Sequence, residues 1–257
     1  MRPDREPGVL RGRTALVTGA SRGIGAAIAV ALAGAGADVV GVSSALATQE
    51  AVAESVRSAG GRYAARECDL ADRGSLYRLL DRLEEAGEAA PDILVHAAGI
   101  NRRAPAVAHG DELWDEVLAV NLTAPFILTR RIGAEMVARG SGKVIFLASV
   151  MTFQGGITIP GYAASKGGVG QLVKSLANEW ASCGVNVNAI APGYVNTNMN
   201  EALLLDADRH AKISERIPAG RWAEPSDIGG AAVFLASSAA DYIHGVTLPV
   251  DGGWLGR

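Results

Sequence analysis

Tyr162 and Lys166 are four residues apart, and their side-chain types could together move a proton. On a helix this spacing places both side chains on one face, about one turn apart. A tyrosine has an ordinary pKa of about 10, which is too high for a base near neutral pH. A nearby ammonium favours the phenolate and lowers that pKa toward useful proton transfer. Taken alone, however, the pattern Tyr-x-x-x-Lys is more typical of a solvated helix face.

The position of Ser149 favours a catalytic role for Tyr162 and Lys166. It comes thirteen residues before Tyr162 and directly after Lys143–Ala148, a run that is typical of a buried strand. At the carboxyl end of a strand in an open α/β sheet, a side chain faces the ligand crevice. We therefore expect Ser149 to donate a hydrogen bond to a substrate oxygen while Tyr162 exchanges the proton.

A glycine-rich turn joins the first predicted strand to the first predicted helix. The sequence T-A-L-V-T runs into G-A-S-R-G-I-G, which places Gly19, Gly23 and Gly25 at the turn and the helix start. Glycine lets main-chain N–H groups approach a pyrophosphate, and the helix presents its positive dipole end to that anion. Glycine is also usual at a plain strand-to-helix turn. The position at the first strand–helix junction of an alternating chain favours a dinucleotide site.

Short apolar runs alternate with amphipathic stretches along the chain. This alternation predicts an α/β fold with a single-domain, Rossmann-like, doubly wound parallel sheet flanked by helices. The runs typical of buried strands are Thr14–Thr18, Asp38–Val42, Ile93–Val95, Lys143–Ala148 and Val185–Ala191. The patterns typical of helices cover residues 23–35, 46–59, 72–86, 111–139 and 161–182.

No linker and no shift in composition divides the chain. We expect an N-terminal tail over residues 1–12 and one dinucleotide-binding and catalytic domain over residues 13–257. Residues 193–220 interrupt the alternation with polar residues and one helical patch, Glu201–Ile213. A long excursion of this kind after a strand is typical of a functional lid.

The composition excludes several classes of function. The chain has 257 residues, 49% of them hydrophobic, and a formal net charge of -3, without a long basic run for nucleic acid or an anionic membrane. It shows neither the apolar stretch of a secretory signal nor an apolar run as long as a membrane span. Two cysteines and four dispersed histidines suggest neither disulfides nor a metal site. We expect a soluble cytoplasmic protein with a small-molecule substrate and no metal.

A series of short motifs runs along the chain. In order, they are T-G-A-S-R-G-I-G from Thr18, Asp69-Leu70, His96-Ala97-Ala98-Gly99, Asn121, Ser149, Tyr162 with Lys166, and Pro192-Gly193. In this order and at these intervals they resemble the motifs of the short-chain dehydrogenase/reductase family over nearly the whole chain. His96 is the departure, because the family usually has asparagine at this position.

The resemblance implies hydride transfer between a nicotinamide cofactor and a carbonyl or secondary-alcohol carbon, with the protein handling the proton. It further implies that Lys166 binds the nicotinamide ribose, that Asn121 supports a water-mediated proton relay, and that the chain forms a homotetramer. The implied catalytic residues are Asn121, Ser149, Tyr162 and Lys166. The implied cofactor-binding residues are Gly19, Ser21, Arg22, Gly23, Ile24, Gly25, Ser43, Ser44, Asp69, Leu70, His96, Ala97, Gly99, Asn121, Tyr162, Lys166, Pro192, Gly193 and Val195.

The residue at the end of the second strand normally determines whether the site prefers NAD(H) or NADP(H). An Asp or Glu there bonds the adenosine 2′-hydroxyl and repels a 2′-phosphate. This chain has Ser43 and Ser44 instead, and Arg22 in the glycine turn could pair with a 2′-phosphate. These residues favour NADP(H) slightly, although the subgroup resemblance described next points to NAD(H).

The C-terminal half more specifically resembles a subgroup of sugar-acid dehydrogenases that act on 2-deoxy- or 3-deoxy-gluconates, from F-L-A-S-V-M-T-F-Q-G-G to Y-I-H-G-V-T-L-P-V-D-G-G-W-L. A substrate carboxylate calls for a cation, and an arginine can bond both of its oxygens. Arg102 and Arg103 are the candidates for this contact, and each could equally face solvent or a neighbouring subunit. Gln154 and Asn200 are candidates for binding sugar hydroxyls.

Two other functions stay open. A 3-oxoacyl-thioester (acyl carrier protein) reductase shares much of this signature, including S-R-G-I-G, but the acidic chain does not favour docking of an acidic carrier. A dinucleotide-sensing regulator on the same scaffold usually has a damaged Ser/Tyr/Lys set, and here the set is intact. The sequence therefore favours an enzyme.

Overall fold

The computed structural model describes residues 8–87 and 90–257. Residues 1–7 of the predicted N-terminal tail lie outside this part of the chain. Within the rest of that predicted tail, Leu10 is buried in the core, and its backbone N–H donates to the Ala35 carbonyl at 2.9 Å. The described part of the predicted tail therefore packs on the domain at Leu10.

Seven parallel strands form one sheet in the described ranges, in the order β3-β2-β1-β4-β5-β6-β7. All five predicted strands are present, with ends that differ by at most one residue. β3 and β7 are edge strands; the first contains Arg66 and Glu67 and the second contains Pro249, so neither forms a continuous apolar run. The strands are β1 Thr14–Thr18, β2 Asp38–Ser43, β3 Tyr63–Glu67, β4 Ile93–His96, β5 Gly142–Leu147, β6 Val185–Pro192 and β7 Thr247–Val250.

Nine α-helices alternate with these strands over the same described residues. The predicted patch Glu201–Ile213 forms two of them, because Asp206 caps a new helix by accepting the Arg209 N–H at 3.0 Å. The helices are α1 Gly23–Gly34, α2 Glu50–Ala59, α3 Arg73–Glu85, α4 Asp111–Leu118, α5 Ala124–Arg139, α6 Pro160–Trp180, α7 Glu201–Leu204, α8 Ala207–Arg216 and α9 Ser226–Ala236. None of them is both long and apolar enough to cross a membrane.

Separate helix layers cover the two faces of the sheet. Helices α3, α5 and α6 contribute to one core cluster, and α1, α2 and α9 contribute to the other. Along β1, Leu16 belongs to the first cluster, whereas Ala15 and Val17 belong to the second, as the two-residue period of a strand requires. Both faces of the central strands are therefore buried.

The predicted helix over residues 111–139 forms, but it is not one regular α-helix. Between α4 and α5 the chain makes a π turn, Ala119–Thr123. Such turns are wider than an α-helix and occur frequently at functional sites. Asn121 lies within this turn and is buried. The turn thus directs a polar side chain into the protein, toward the end of β4.

The strand order reverses at β1, which has β2 on one side and β4 on the other. In open α/β sheets, ligands bind outside the carboxyl ends of the strands at such a switch point. The residues that follow β1, β4, β5 and β6 meet at this edge.

The excursion after β6 is fastened at both ends to the segment that follows β7. At its start, a Cβ on Gly193 would lie 2.8 Å from the Asp251 Cα, so only glycine fits there. Near its end, the Ala219 N–H donates to the Gly252 carbonyl at 3.0 Å. α7 and α8 lie between these two attachments.

Candidate active site

A cavity of about 900 Å³ opens at the carboxyl ends of the strands. This volume is within the usual range of cofactor and substrate sites. Two predicted site residues, His96 and Asn121, are not part of its lining. The predicted residues that do line it are Gly19, Ser21, Arg22, Gly23, Ile24, Gly25, Ser43, Ser44, Asp69, Leu70, Ala97, Gly99, Arg102, Arg103, Ser149, Gln154, Tyr162, Lys166, Pro192, Gly193, Val195 and Asn200.

The glycine turn lies at one end of this cavity, where α1 begins. Arg22 precedes α1 without a capping side-chain hydrogen bond, and the first turn carries no acidic residue. Gly19 and Gly23 have φ values of 68° and 56°, a region that favours glycine. A Cβ at Gly25 would collide with the Gly19 carbonyl, so strand and helix meet at backbone distance. The positive end of α1 is therefore available to a pyrophosphate.

The end of β2 forms a second part of the lining. The Ser43 hydroxyl donates to the Ala45 carbonyl at 2.9 Å, so its own loop holds it, whereas Ser44 is exposed. Arg22 is exposed on the same cavity. This region offers a hydroxyl and a cation where an NAD-selecting fold has a carboxylate.

The predicted reacting groups meet in the middle of the cavity. Ser149 follows β5, and its hydroxyl accepts the Met151 N–H at 3.1 Å. Tyr162 and Lys166 lie on α6, with the ammonium 5.7 Å from the centre of the Tyr162 ring. The buried Lys166 ammonium donates to the Leu147 carbonyl at 2.5 Å.

The protonation of this pair differs from the expectation. Burial raises the pKa of Tyr162 above its usual value, and the opposing effects of the Ser149 hydroxyl and the Arg103 charge are smaller. Burial also lowers the pKa of Lys166 to about 8. The expected lowering of the Tyr162 pKa by Lys166 is not among these effects, and desolvation acts in the opposite direction because it disfavours the phenolate.

Comparison with known proteins decides the family. The model of a family described as "Enoyl-(Acyl carrier protein) reductase" matches residues 19–255. A 2-dehydro-3-deoxy-D-gluconate 5-dehydrogenase from Pseudoalteromonas atlantica is 57% identical over 249 residues, which are 96% of this chain and 98% of that protein. This chain belongs to the short-chain dehydrogenase/reductase family. It is accordingly an NAD(P)-dependent oxidoreductase that acts on CH–OH groups.

Solved structures of this family show the same fold. A candidate 2-deoxy-D-gluconate 3-dehydrogenase from Agrobacterium tumefaciens with bound NADP is 51% identical, with a TM-score of 0.91 and coverage of 98% of this chain and 100% of that chain. A gluconate 5-dehydrogenase from Burkholderia cenocepacia in complex with NADP and tartrate is 40% identical, with a TM-score of 0.91 and coverage of 96% and 97%.

The cavity of this short-chain dehydrogenase/reductase fits a nicotinamide dinucleotide. The uncapped start of α1 suits the pyrophosphate, and Asp69 and Leu70 line the side expected for adenine. A Cβ at Gly99 would reach only Asn121 Oδ1 and Lys166 Nζ, both beyond 3.4 Å, so backbone and ammonium border one open space. Within the described ranges, no group of three His, Cys, Asp or Glu side chains is placed to hold a metal ion.

Asn121 supports the site without lining it. Its Oδ1 accepts the Ile100 N–H at 2.8 Å, and its Nδ2 donates to the Ile100 carbonyl at 2.9 Å and to the Ser165 hydroxyl at 3.1 Å. Both N–H groups of the amide and one lone pair of Oδ1 are thus bonded to the protein. The amide holds the loop after β4, and its part in a water-mediated relay stays a prediction.

His96 lies in the core of this dehydrogenase and not at the cofactor cavity. Its Nε2 and the Thr129 hydroxyl are 2.7 Å apart, and its ring centre is 4.7 Å from that of Phe146. Burial lowers its pKa to about 3, so the ring is neutral. The prediction that His96 binds the cofactor is not supported, because neighbouring residues of an extended chain face opposite sides and Ala97 lines the cavity instead.

The two candidate arginines have different surroundings. Arg102 donates from Nε and Nη2 to the two carboxylate oxygens of Glu116, both at 2.7 Å. Arg103 has no carboxylate within salt-bridge distance among the described residues, and its charge acts on Tyr162 and Tyr194. Arg102 already has an anionic partner from its own chain, and Arg103 is the one available to a ligand.

Sequence reasoning did not find several residues of the lining. Tyr194 follows β6, and its ring centre lies 4.8 Å from that of Trp254. Arg209 and Arg216 on α8 also line the cavity, and the Arg216 guanidinium is 3.9 Å from the centre of the Trp254 ring. The signal for the two arginines was present, because residues seven apart lie on one face of a helix.

Proposed function

We propose that this protein transfers hydride between NADP(H) and a secondary alcohol or ketone of a sugar acid of the 2-deoxy- or 3-deoxy-gluconate type. The relatives described above, at 40% to 57% identity, have gluconates or deoxygluconates in their names. The observation that carries the proposal is the position of Arg103. It places a cation without a carboxylate partner in the same cavity as Ser149 and Tyr162.

The proposed proton chemistry uses two hydroxyls. Ser149 donates a hydrogen bond to the substrate oxygen, and Tyr162 gives its proton to that oxygen during reduction and takes it back during oxidation. The raised pKa of Tyr162 favours a phenol that is loaded with a proton for reduction. The bound cofactor supplies or accepts the hydride.

Lys166 and Asn121 have supporting roles in this proposal. Lys166, held by the Leu147 carbonyl beneath Tyr162, binds the nicotinamide ribose hydroxyls. Asn121 is a positioning residue, because its amide bonds both backbone polar groups of Ile100. It sets the backbone from which Arg103 extends.

The preference for NADP(H) rests on the end of the cavity near β2. Arg22 and Ser44 are exposed there, and neither Ser43 nor Ser44 is a carboxylate that would repel a 2′-phosphate. Charge-assisted hydrogen bonds from arginine to phosphate are among the stronger polar contacts. The two solved structures described above both contain NADP, which supports the same choice.

Arg103 is the proposed anchor of the substrate carboxylate. Moving a carboxylate out of water is unfavourable unless a cation or hydrogen bonds compensate. Gln154 and Asn200 remain candidates for contacts with sugar hydroxyls, although the Asn200 amide also donates to the Val195 carbonyl at 2.9 Å. Arg102 is left out of the anchor because it pairs with Glu116.

The test is an assay of the purified protein with a panel of substrates. The panel contains 2-dehydro-3-deoxy-D-gluconate, 2-deoxy-D-gluconate, D-gluconate and 3-oxoacyl thioesters, each with NAD(H) and with NADP(H). Turnover of a sugar acid with the largest kcat/KM supports the proposal. A larger kcat/KM for a thioester would make the chain a 3-oxoacyl-thioester reductase, and tight cofactor binding without any turnover would favour a sensor.

We also propose a cytoplasmic homotetramer. Trp114 on α4, Phe126 on α5, Phe234 on α9 and Tyr242 before β7 are exposed large apolar side chains, which is typical of surfaces that associate. Trp114 and Phe126 lie in the helical region 111–139, which resembles a region that pairs between subunits in this family. The cytoplasm is where a nicotinamide-dependent sugar-acid enzyme meets its cofactor pool. A sedimentation mass of one chain at micromolar concentration would contradict the tetramer, and recovery from a membrane or secreted fraction would contradict the location.

A further inference from the structure

The excursion after β6 brings additional positive charge to the substrate end of the cavity. Arg209, Ile213 and Arg216 all line the cavity and are spaced by four and three residues along α8. This spacing places them on one face of the helix. Asp206 begins the helix by accepting the Arg209 N–H, so the first turn of α8 carries Arg209. The face of α8 that lines the cavity therefore carries two arginines with the apolar side chain of Ile213 between them.

These two arginines differ in the contacts that their guanidinium groups make within the protein. Arg216 stacks over Trp254, whose side chain is buried, and this contact holds its guanidinium in place. Arg209 has no carboxylate within salt-bridge distance in the described ranges. Asp208 is its neighbour along α8, but adjacent residues on a helix point in directions about 100° apart. Arg209 is thus the less constrained of the two cations.

Arg209 and Arg103 line the same cavity although they belong to distant parts of the chain. Burial and the Arg209 charge lower the pKa of Arg103, and the charges of both arginines oppose the rise that burial causes in the pKa of Tyr194. Two guanidinium groups that face one cavity repel each other, and an anion between them offsets that repulsion. A carboxylate has two oxygens and can accept hydrogen bonds from both.

We propose that Arg209 is a specificity-determining residue, which binds the substrate carboxylate together with Arg103 and so makes α8 the element that distinguishes acids from uncharged substrates. This inference rests on the proposed function, because it takes the substrate to be a sugar acid. Arg103 comes from the loop after β4 and Arg209 from the excursion after β6. The carboxylate accepts hydrogen bonds from both segments at once.

The experiment compares Arg209→Gln with Lys212→Gln, each in the full-length protein with NADP+. Lys212 lies on the same helix, is exposed and does not line the cavity, so its loss changes the charge of α8 without touching the site. The probes are 2-deoxy-D-gluconate and its primary amide. We expect Arg209→Gln to reduce kcat/KM for the acid roughly ten- to a hundredfold through KM, with little change for the amide. Lys212→Gln should change neither value by more than about twofold.

Two further variants test whether Arg209 and Arg103 share one anion. Arg209→Lys keeps the charge but not the planar fork, so it should recover part of the lost selectivity. In a double-mutant cycle with Arg103→Gln, the effects on the binding free energy of the acid should be non-additive. Both arginines bind the same carboxylate, so the loss of one weakens the contact with the other. Thermal unfolding of each variant, with and without the acid, gives a readout that does not depend on turnover.

The outcomes separate this inference from the proposed function. If the wild-type protein turns over no sugar acid, the proposed function is wrong. If it prefers the acid to the amide and Arg209→Gln keeps that preference, the proposed function stands and the role of Arg209 is wrong. Equal losses for acid and amide would likewise contradict a carboxylate contact and indicate a role in the packing of α8.

Discussion

The side-chain amide of Asn121 bonds both backbone polar groups of Ile100, accepting from the N–H at 2.8 Å and donating to the carbonyl at 2.9 Å. Two such bonds reproduce the pairing that a neighbouring strand would offer. The π turn in the long helix thereby fixes the loop after β4, three residues before Arg103. The orientation of the proposed substrate anchor depends on an amide that does not touch the cavity.

Asn121→Ala should therefore affect both stability and substrate binding. It leaves the Ile100 N–H and carbonyl without their partners, which we expect to cost about 2–4 kcal/mol of the free energy of unfolding in urea. KM for a sugar acid should rise as the loop that carries Arg103 loosens. Asn178→Ala, at an exposed position of α6 that does not line the cavity, should change the free energy of unfolding by less than about 1 kcal/mol. Equal stability of the two variants would mean that the bonds to Ile100 do not hold the loop.

Tyr162→Phe should abolish turnover and leave cofactor binding nearly unchanged. The substitution removes one hydroxyl and retains the ring, so the loss is that of the proton donor, about 10²–10⁴-fold or more in kcat. Steady-state kinetics give the rate, and a fluorescence titration with NADPH gives the affinity. If most of the activity survives with any substrate in the panel, Tyr162 is not the acid and base.

Arg22→Ala should weaken NADP(H) more than NAD(H). Only the former carries a 2′-phosphate, and loss of an exposed charge-assisted contact corresponds to roughly a tenfold change in Kd. Arg57→Ala removes an exposed arginine of α2 that does not line the cavity, and it serves as the control. An equal loss for both cofactors would show that Arg22 does not contact the 2′ position.

The buried His96 makes stability depend on pH. Its pKa falls from 6.5 to about 3 on folding, so below pH 6.5 the unfolded chain takes up a proton that the folded protein refuses. The contribution to stability is present above pH 6.5 and is lost as the pH falls toward 3. Between pH 7 and pH 5 we expect the wild-type protein to lose about 2 kcal/mol more than His96→Asn, measured by urea unfolding. Parallel losses in the two proteins would indicate that this ring is protonated normally.

The sequence was sufficient to predict the features that follow the order of the chain. The glycine turn, Ser149 after β5, and Tyr162 with Lys166 on one helix face are local patterns. The alternation of strands and helices brings their strand ends to one edge without any knowledge of long-range contacts. The glycine turn and the positions of these three side chains could therefore be placed before the structure was known.

Side-chain direction and long-range pairing could not be predicted in this way. Nothing in the pair Arg102-Arg103 shows that the first binds Glu116, fourteen residues away, and that the second faces the cavity. His96 occupies a motif position but follows the strand register into the core. The contribution of α8 to the lining was missed because the spacing of Arg209 and Arg216 predicts a shared helix face but not which side of the protein that face contacts.

The two attachments of the excursion at Gly193 and Ala219 make the last part of the chain a mechanical support of substrate binding. Asp251 and Gly252 hold the ends, Trp254 carries Arg216, and the Arg257 guanidinium donates to the Glu215 carbonyl at 2.9 Å. Removal of residues 251–257 would take away the Gly252 bond to Ala219 and both contacts that support the end of α8, whereas the bond from the Gly193 N–H to the Val250 carbonyl would remain. An affinity tag joined after Arg257 would lie beside the bond from Arg257 to the Glu215 carbonyl and could disturb it. A tag is therefore better placed before residue 1.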